Sequence, residues 1–222
     1  RDLQPGERLS PALAVERGTR PAVLQEEISV DDSPLQIMRK VIQSEVTALE
    51  ETSQLLDAKA LDDAVEALAG ARNVDIYGMG SSAPVVVDAY YRFLRIGLRV
   101  STPPDSHMQL VNAALLGPED VAFVISHTGH TKDVIGAARK ANEMGATVIA
   151  LTSFFRSPLL RHCHIHLVTA TSETNSKVEA MASRTAHLAV VDSLYGALAV
   201  HRSHDSGDAL ARTQAAIDEQ RK

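Results

Sequence analysis

Apolar and polar stretches along the chain divide it into helices and strands. A serine followed by proline at Ser33-Pro34 predicts a helix start, and apolar residues recur at close to helical spacing from there to Leu56. Asp57 is expected to cap a second helix that ends near Leu68. Beyond it, short apolar runs alternate with helical patterns, which predicts βαβ units around a parallel sheet. The predicted strands lie near residues 73–77, 98–102, 121–125, 146–151 and 164–169.

The C-terminal part of the chain is predicted to be helical. A long helix is expected from about Lys177 to Val200, and the polar tail from Ser206 to Lys222 is expected to form another. The apolar face of the long helix has two interpretations, docking of a partner subunit or packing on the core. Its residues are Met181, Leu188, Val191, Leu194 and Leu198.

The loop Ser126-His127-Thr128-Gly129-His130-Thr131 leads from a predicted strand into a predicted helix. A helix N-terminus exposes unpaired N–H groups at the positive end of its dipole, and anions bind there. Ser and Thr hydroxyls donate to phosphate oxygens without adding charge, and Gly129 lacks the Cβ that would hold a ligand away from the backbone. His127 and His130, if protonated, would also favour an anion. The alternative is a polar turn in which Thr131 caps the helix.

A second loop, Gly78-Met79-Gly80-Ser81-Ser82, follows the strand predicted at 73–77. In an open parallel sheet, ligands lie beyond the carboxyl ends of the strands, where the strand order reverses. If the two loops flank that point, their hydroxyls face one crevice.

The segment Gly78 to Ala83 also fits the glycine-rich dinucleotide fingerprint G-x-G-x-x-G/A. That motif requires an acidic residue at the end of the next strand to hold the ribose. The next predicted strand ends at Thr102 and runs into Pro103-Pro104, and Asp105 opens a different segment. The dinucleotide interpretation is therefore disfavoured, and it also leaves the other hydroxyl loop without a role.

Five segments together identify a family. The chain resembles SIS (sugar isomerase) domains over roughly Ser33 to His201, and most closely the effector-binding domain of RpiR-type transcriptional regulators. The loop Ser126 to Thr131 is similar to the family pattern S-x-S-G-x-T, with Thr128 at the middle serine. The segments that carry the resemblance are Gly78–Ser82, Arg92–Gly97, Asp105–Gln109, Ser126–Thr131 and Met181–Leu194.

The resemblance implies an α/β fold, a flavodoxin-like three-layer sandwich with a five-stranded parallel sheet. It implies a sugar-phosphate-sensing effector domain of a bacterial RpiR-type regulator of carbohydrate metabolism, and the alternative is a sugar-phosphate aldose–ketose isomerase of the same class. Glu179 and His107 are possible sugar contacts. The expected phosphate contacts are Gly80, Ser81, Ser82, Ser126, Thr128, Gly129 and Thr131.

An isomerase needs a base that moves a proton between adjacent carbons. The best candidates are Glu179 and His187, which eight residues of helix hold about 12 Å apart, too far for one small substrate unless a neighbouring subunit supplies the second group. Glu173 is a further candidate on a loop. No residue is therefore assigned a catalytic role.

A run of histidines, His162, His164 and His166, has the spacing that places side chains on one face of a strand. Structural zinc usually takes four nitrogen or sulfur ligands, and Cys163 is the only cysteine. The run is therefore interpreted as an ordinary strand end, with no metal and no cofactor expected.

Composition limits the partners. The formal net charge of −6 argues against direct binding of nucleic acid. The resemblance to RpiR-type regulators implies that any DNA contact is made by a helix-turn-helix domain absent from this chain. Residues 1–32 are expected to be a linker or remnant after that domain, 33–204 the SIS sugar-phosphate-binding domain and 205–222 a polar tail. A single cysteine, no signal-peptide pattern and no bilayer-length apolar run predict a cytoplasmic protein without membrane contact. A homodimer or tetramer is expected.

Overall fold

The computed structural model describes residues 28–29, 31–170 and 181–220, and these form an α/β sandwich around one parallel sheet. Its five strands lie in the order β2-β1-β3-β4-β5, which is the flavodoxin-like order. The predicted fold class is therefore confirmed. The strands are β1 (Val74–Tyr77), β2 (Val100–Ser101), β3 (Val121–Ile125), β4 (Thr147–Thr152) and β5 (Ile165–Val168).

Helices cover both faces of the sheet. Two short 3₁₀ turns, Gly80–Ser82 and Pro158–His162, follow β1 and β4. The helices are α1 (Pro34–Leu55), α2 (Ala58–Gly70), α3 (Ala83–Arg95), α4 (Ser106–Ala113), α5 (Lys132–Glu143), α6 (Met181–His201) and α7 (Ser203–Glu219).

Capping residues determine where several helices begin or end. The Ser33 side chain accepts from the Gln36 amide in a reciprocal capping box, and Asp57 accepts from the Ala60 amide at 2.8 Å. Gly97 ends α3 with a φ of +83°, a left-handed conformation that favours glycine. These local signals explain why the predicted starts of α1 and α2 are correct.

Two apolar clusters hold the layers together. One lies between the sheet and α2, α3 and α6, and it includes Phe93, Phe123 and Leu194. The other lies between the sheet and α5 and includes Val134 and Val148. Because both faces of the sheet are covered, every residue of β1 and β3 is buried.

The apolar face predicted on the long helix belongs to the core. Val191, Leu194 and Leu198 of α6 are buried in the first cluster, so core packing is the correct interpretation and partner docking through these residues is wrong. Leu188 is half-buried against the same cluster, and the Met181 side chain lies outside the described residues.

Two elements differ from the sequence prediction. Strand β2 is only two residues long because it is an edge strand with one neighbour and Pro103-Pro104 follow it closely. Helix α4 was not predicted; Asp105 caps it by accepting from the Met108 amide at 2.9 Å.

The C-terminal tail is helical, as predicted, and it docks on the domain. Helix α7 begins at Ser203, and its Ala209 is buried. A Cβ at Gly97 would lie 3.0 Å from the Ala209 Cβ, so the end of α3 and α7 touch closely. Within the described residues, no helix is long and apolar enough to cross a membrane.

Candidate anion site at the switch point of the sheet

Strands β1 and β3 are neighbours, and the strand order reverses between them. Tyr77, the last residue of β1, is in register with Val124, so the loops that follow the two strands emerge side by side. The His127 amide approaches the Ser82 hydroxyl at 3.4 Å. A Cβ at Gly78 would lie 2.7 Å from the Ile125 carbonyl oxygen, so the two backbones are in close contact. The structure thus brings both predicted loops together at the carboxyl edge of the sheet.

In the first loop the backbone turns sharply at Gly80. Its φ is +58°, and a Cβ there would meet no atom within 4 Å, so conformation rather than space requires the glycine. The 3₁₀ turn that follows buries Ser82 and leaves Ser81 exposed.

In the second loop the hydroxyls shape the backbone. The Ser126 hydroxyl is buried and accepts from the Gly129 amide at 3.2 Å, and the exposed Thr128 hydroxyl accepts from the His130 amide at 3.3 Å. Each hydroxyl keeps its own proton for donation to a further acceptor. The loop is therefore held in shape by the same groups that can donate to an anion.

Gly129 has a structural role that the sequence analysis did not predict. Its φ is +63°, and a Cβ there would collide with the Ser157 side chain. Packing of the loop against Ser157 and the left-handed backbone both require the glycine. The buried Ser157 hydroxyl has no hydrogen-bond partner among the described residues.

The N-terminus of α5 is open. Thr131 is its N-cap residue, yet its side chain makes no capping hydrogen bond and is exposed. The capping alternative is therefore wrong for the Thr131 hydroxyl, which faces solvent together with helix amides that lack a side-chain acceptor. Asp133 in the first turn carries a negative charge that opposes an anion, whereas Lys132 beside it favours one.

A buried polar cluster, which the sequence analysis missed, underlies the second loop. The Ser153 hydroxyl lies at its centre, 3.1 Å from His127 Nδ1, 2.9 Å from Thr169 Oγ1 and 3.1 Å from His187 Nε2. The His127 carbonyl accepts in addition from the Ser153 amide and the Thr152 hydroxyl, both at 3.0 Å. This Ser153 cluster connects the ends of β3, β4 and β5 to α6.

His187 is electrically neutral in this cluster. Burial lowers the pKa of His187 to about 3, and the nearby His127 adds to the effect. A neutral, fully enclosed imidazole holds its neighbours in place but supplies no charge to an anion. The position of Thr152-Ser153 could have indicated the cluster. These residues lie at the carboxyl end of β4, and functional polar groups of a parallel sheet gather at the carboxyl ends of its strands.

The segment Asp105–Gln109 contacts the first loop through Gln109, and His107 stays a predicted sugar contact. His107 is exposed and makes no hydrogen bond with a described residue, whereas Gln109 is buried and donates from Nε2 to the Gly78 carbonyl at 3.1 Å. Gln109 therefore fastens α4 to the first loop. Its Oε1 atom has no partner among the described residues.

The histidine run makes backbone contacts. His164 Nδ1 accepts from the Val148 amide at 2.9 Å, and His166 Nε2 lies 3.0 Å from the Cys163 carbonyl. In the described part of the chain, no group of three or more His, Cys, Asp or Glu residues is placed to hold a metal ion. The candidates Glu173 and Glu179 lie outside the described residues.

The fold and the two loops match one known domain family. A family model described as "SIS domain" matches residues 67–197. The chain belongs to the SIS domain family. In this SIS domain the match spans both loops and the sheet from β1 to β5.

Its relatives include transcriptional regulators. The chain is 37% identical over 178 residues to a protein of Caldanaerobacter subterraneus named as an uncharacterized HTH-type transcriptional regulator, covering 80% of this chain and 63% of that protein. The SIS domain thus spans less than two thirds of the length of that regulator.

Two solved structures are similar to this SIS domain. The Vibrio vulnificus NanR protein complexed with ManNAc-6P has a TM-score of 0.79 and 30% identity, over 86% of this chain and 70% of that one. The sugar isomerase domain of an RpiR transcription factor from Sphaerobacter thermophilus has a TM-score of 0.74 and 26% identity, over 81% of this chain and 99% of that one. The resemblance to RpiR-type effector domains is confirmed.

Proposed function

We propose that this SIS domain binds a phosphorylated sugar between its two hydroxyl loops and is the effector-sensing domain of an HTH-type transcriptional regulator of carbohydrate metabolism. The observation that carries the proposal is the pairing of the loops at the switch point, where the open N-terminus of α5 stands beside them. The phosphate is held by hydroxyls and amides. The proposed contacts are Gly80, Ser81, Ser82, Ser126, Thr128, Gly129 and Thr131.

The regulatory role is supported by the regulator relatives and by the NanR complex with a sugar phosphate. DNA contact is proposed to come from a helix-turn-helix domain outside this chain, because a net charge of −6 gives no electrostatic attraction to a phosphate backbone. The proposed assembly is a homodimer or a tetramer.

Catalysis is not required for this role. A general base must reach the proton that it removes, and His187 is fully buried with its Nε2 atom engaged by Ser153. His187 therefore serves as a structural member of the Ser153 cluster in this proposal, and the domain senses its ligand without converting it.

Calorimetric titration with a panel of aldose and ketose phosphates and their unphosphorylated sugars tests the proposal. We expect saturable binding of at least one phosphate and far weaker binding of its parent sugar. The variant Thr128→Val/Thr131→Val is expected to weaken binding at least roughly a hundredfold, because each of the two lost bonds to a charged group costs about 1.5–3 kcal/mol. Ser193→Ala, which removes an exposed hydroxyl from α6, is the matched control and is expected to bind normally.

An NMR time course on the bound phosphate separates sensing from catalysis. Unchanged ligand supports the sensing role. An isomerised product that disappears in Glu179→Gln would replace it with the isomerase alternative. No binding of any phosphate, or equal binding by the double variant, would show that the loops are not the anion site.

A further inference from the structure

A cleft opens at the β2 edge of the sheet, where the C-terminal parts of α3 and α4 approach each other. Its volume is about 470 Å³. Small-molecule pockets of proteins measure about 300–1,000 Å³, so the cleft is large enough for a ligand. None of its lining residues belongs to either loop of the anion site. Its apolar walls are formed by Leu94, Leu98, Val100, Leu115 and Leu116.

A buried carboxylate lies in the wall of this cleft. Asp75 of β1 is 6% exposed, and its two oxygens accept from the Tyr77 and Ser101 hydroxyls. Both donors are neutral, and Asp75 forms no ion pair with a described residue. Each carboxylate oxygen can accept a second hydrogen bond, and a buried carboxylate is stabilised best by a cationic donor. Asp75 therefore presents an acceptor for a positively charged group in the cleft.

The other carboxylate that borders the cleft is already paired. Asp120 accepts from the Arg72 guanidinium at 2.7 Å and from the Asn73 amide at 2.9 Å. Because Arg72 is engaged by Asp120, neither of these charges is available to a ligand. Charge recognition in the cleft therefore depends on Asp75 and on a second arginine.

Arg99 supplies the opposite charge. Its side chain is exposed, lines the cleft and forms no ion pair with a described residue. Asp75 is in register with Ser101, and side chains alternate along a strand, so Asp75, Ser101 and Arg99 share one face of the sheet. One strand spacing and two residue steps place the Asp75 and Arg99 Cα atoms about 8 Å apart. The carboxylate and the guanidinium thus border the same cleft without contacting each other.

We propose that this cleft binds an α-amino acid with an apolar side chain. The ammonium group of the ligand donates to Asp75, its carboxylate accepts from Arg99, and its side chain packs on the apolar walls. An amine alone would leave the guanidinium without a partner, and a carboxylic acid alone would leave the buried carboxylate without one. A second sugar phosphate is disfavoured, because Asp75 would repel the phosphate.

Calorimetric titration of the 222-residue chain with L-leucine, L-methionine and L-phenylalanine tests the proposal. We expect saturable binding of leucine and at least roughly tenfold weaker binding of two analogues that each lack one of its charges. Isoamylamine lacks the carboxylate, and isocaproate lacks the ammonium group.

Two variants assign the charges. Asp75→Asn is expected to weaken leucine binding at least roughly tenfold and to abolish the preference for leucine over isocaproate. Arg99→Gln is expected to weaken it similarly and to abolish the preference for leucine over isoamylamine. The matched control is Arg139→Gln, an exposed arginine of α5 outside the cleft, which should bind leucine normally. Because Arg99 is exposed, its variant keeps the test decisive even if Asp75→Asn fails to fold in thermal unfolding.

Absence of saturable binding of all three amino acids would overturn the proposal. So would equal affinity of the wild type for leucine and either analogue, or leucine binding that survives both variants and hence lies outside this cleft. Sugar-phosphate binding should be unchanged in Arg99→Gln, because the cleft shares no lining residue with the two loops. Failure of sugar-phosphate binding and failure of amino-acid binding are therefore distinguishable.

Discussion

The two ends of the central strands bury polar groups in opposite ways. At the amino end, Asp120 accepts from Arg72 at 2.7 Å and 3.1 Å, from Asn73 at 2.9 Å and from the Gly117 amide at 2.8 Å. At the carboxyl end, the Ser153 cluster joins neutral groups, and hydroxyls, a buried Gln109 oxygen and the start of α5 retain hydrogen-bonding capacity.

The difference separates a structural polar site from a binding site. The amino end is closed: the Asp120 carboxylate is buried, and its donors come from three directions within the protein. The carboxyl end is open: the Thr128 and Thr131 hydroxyls are exposed, and the Thr131 side chain makes no capping hydrogen bond. Substitutions at the amino end should therefore change stability alone, whereas those at the carboxyl end should change ligand binding. Where a carboxyl-end group also supports the loop structure, its substitution should lower stability as well.

The largest effect expected of a substitution at neutral pH is at Asp120. Asp120→Ala removes the acceptor of several buried or half-buried donors and is expected to lower the free energy of unfolding by roughly 2–4 kcal/mol. Urea denaturation measures this change, and the affinity for a sugar phosphate, measured on the folded variant, should stay the same. A loss of affinity without a loss of stability would contradict the division between the two ends.

As the pH is lowered, the carboxyl end should lose stability at a higher pH than the amino end. Burial lowers the pKa of His187 to about 3. Below about pH 6.5, His187 is therefore protonated in the unfolded chain but stays neutral in the folded protein. Stability should fall by up to about 1.4 kcal/mol per pH unit from there towards pH 3, and His187→Gln should flatten this slope.

The carboxylate at the amino end responds at lower pH. Hydrogen bonds from Arg72 hold the pKa of Asp120 below its ordinary value, against the opposing effect of burial. Its contribution is present above the unfolded pKa of about 3.9 and is lost only as the pH falls through the lower folded value. The stability difference between the wild type and Asp120→Asn should therefore stay constant down to about pH 4, and a difference that already shrinks near pH 6 would contradict this order.

Substitutions of two hydroxyls in the second loop should distinguish an effect on ligand affinity from an effect on loop stability. Thr128→Val is expected to cost about 1.5 kcal/mol of ligand affinity with little change in stability, because the Thr128 hydroxyl is exposed. Ser126→Ala should cost a similar affinity and about 1 kcal/mol of stability as well, because the Gly129 amide loses its acceptor. Calorimetry and thermal unfolding of both variants decide this, and identical profiles would show that Ser126 does not hold the loop.

The smallest expected effect is at Gly80. Gly80→Ala introduces no clash but places a side chain at φ +58°, and it is expected to cost about 1 kcal/mol of stability. Gly136→Ala in α5, where a Cβ also meets open space, is the control and should be neutral or slightly stabilising. Equal stability of the two variants would show that the first loop relaxes freely.

Several features of this fold could be predicted from the sequence because they depend on near neighbours. The capping box at Ser33, the cap at Asp57 and the turn at Gly97 each act within four residues. The apolar runs of β1 and β3 predict buried strands, and in a parallel sheet the carboxyl ends of both strands lie at the same edge. The two hydroxyl loops were therefore predicted together.

Tertiary structure alone decided the contacts between distant segments. Ser153 is 26 residues from His127 and 34 from His187, and no spacing in the sequence predicts their contact. Gly129 needs its glycine because Ser157 packs beside it, and Gln109 rather than His107 reaches the first loop because of how α4 is oriented. The long helices make the same point: both α1 and α6 carry apolar stripes, but packing buries that of α6 and leaves that of α1 exposed. Periodicity determines which residues share a face, whereas only the assembled layers determine what that face meets.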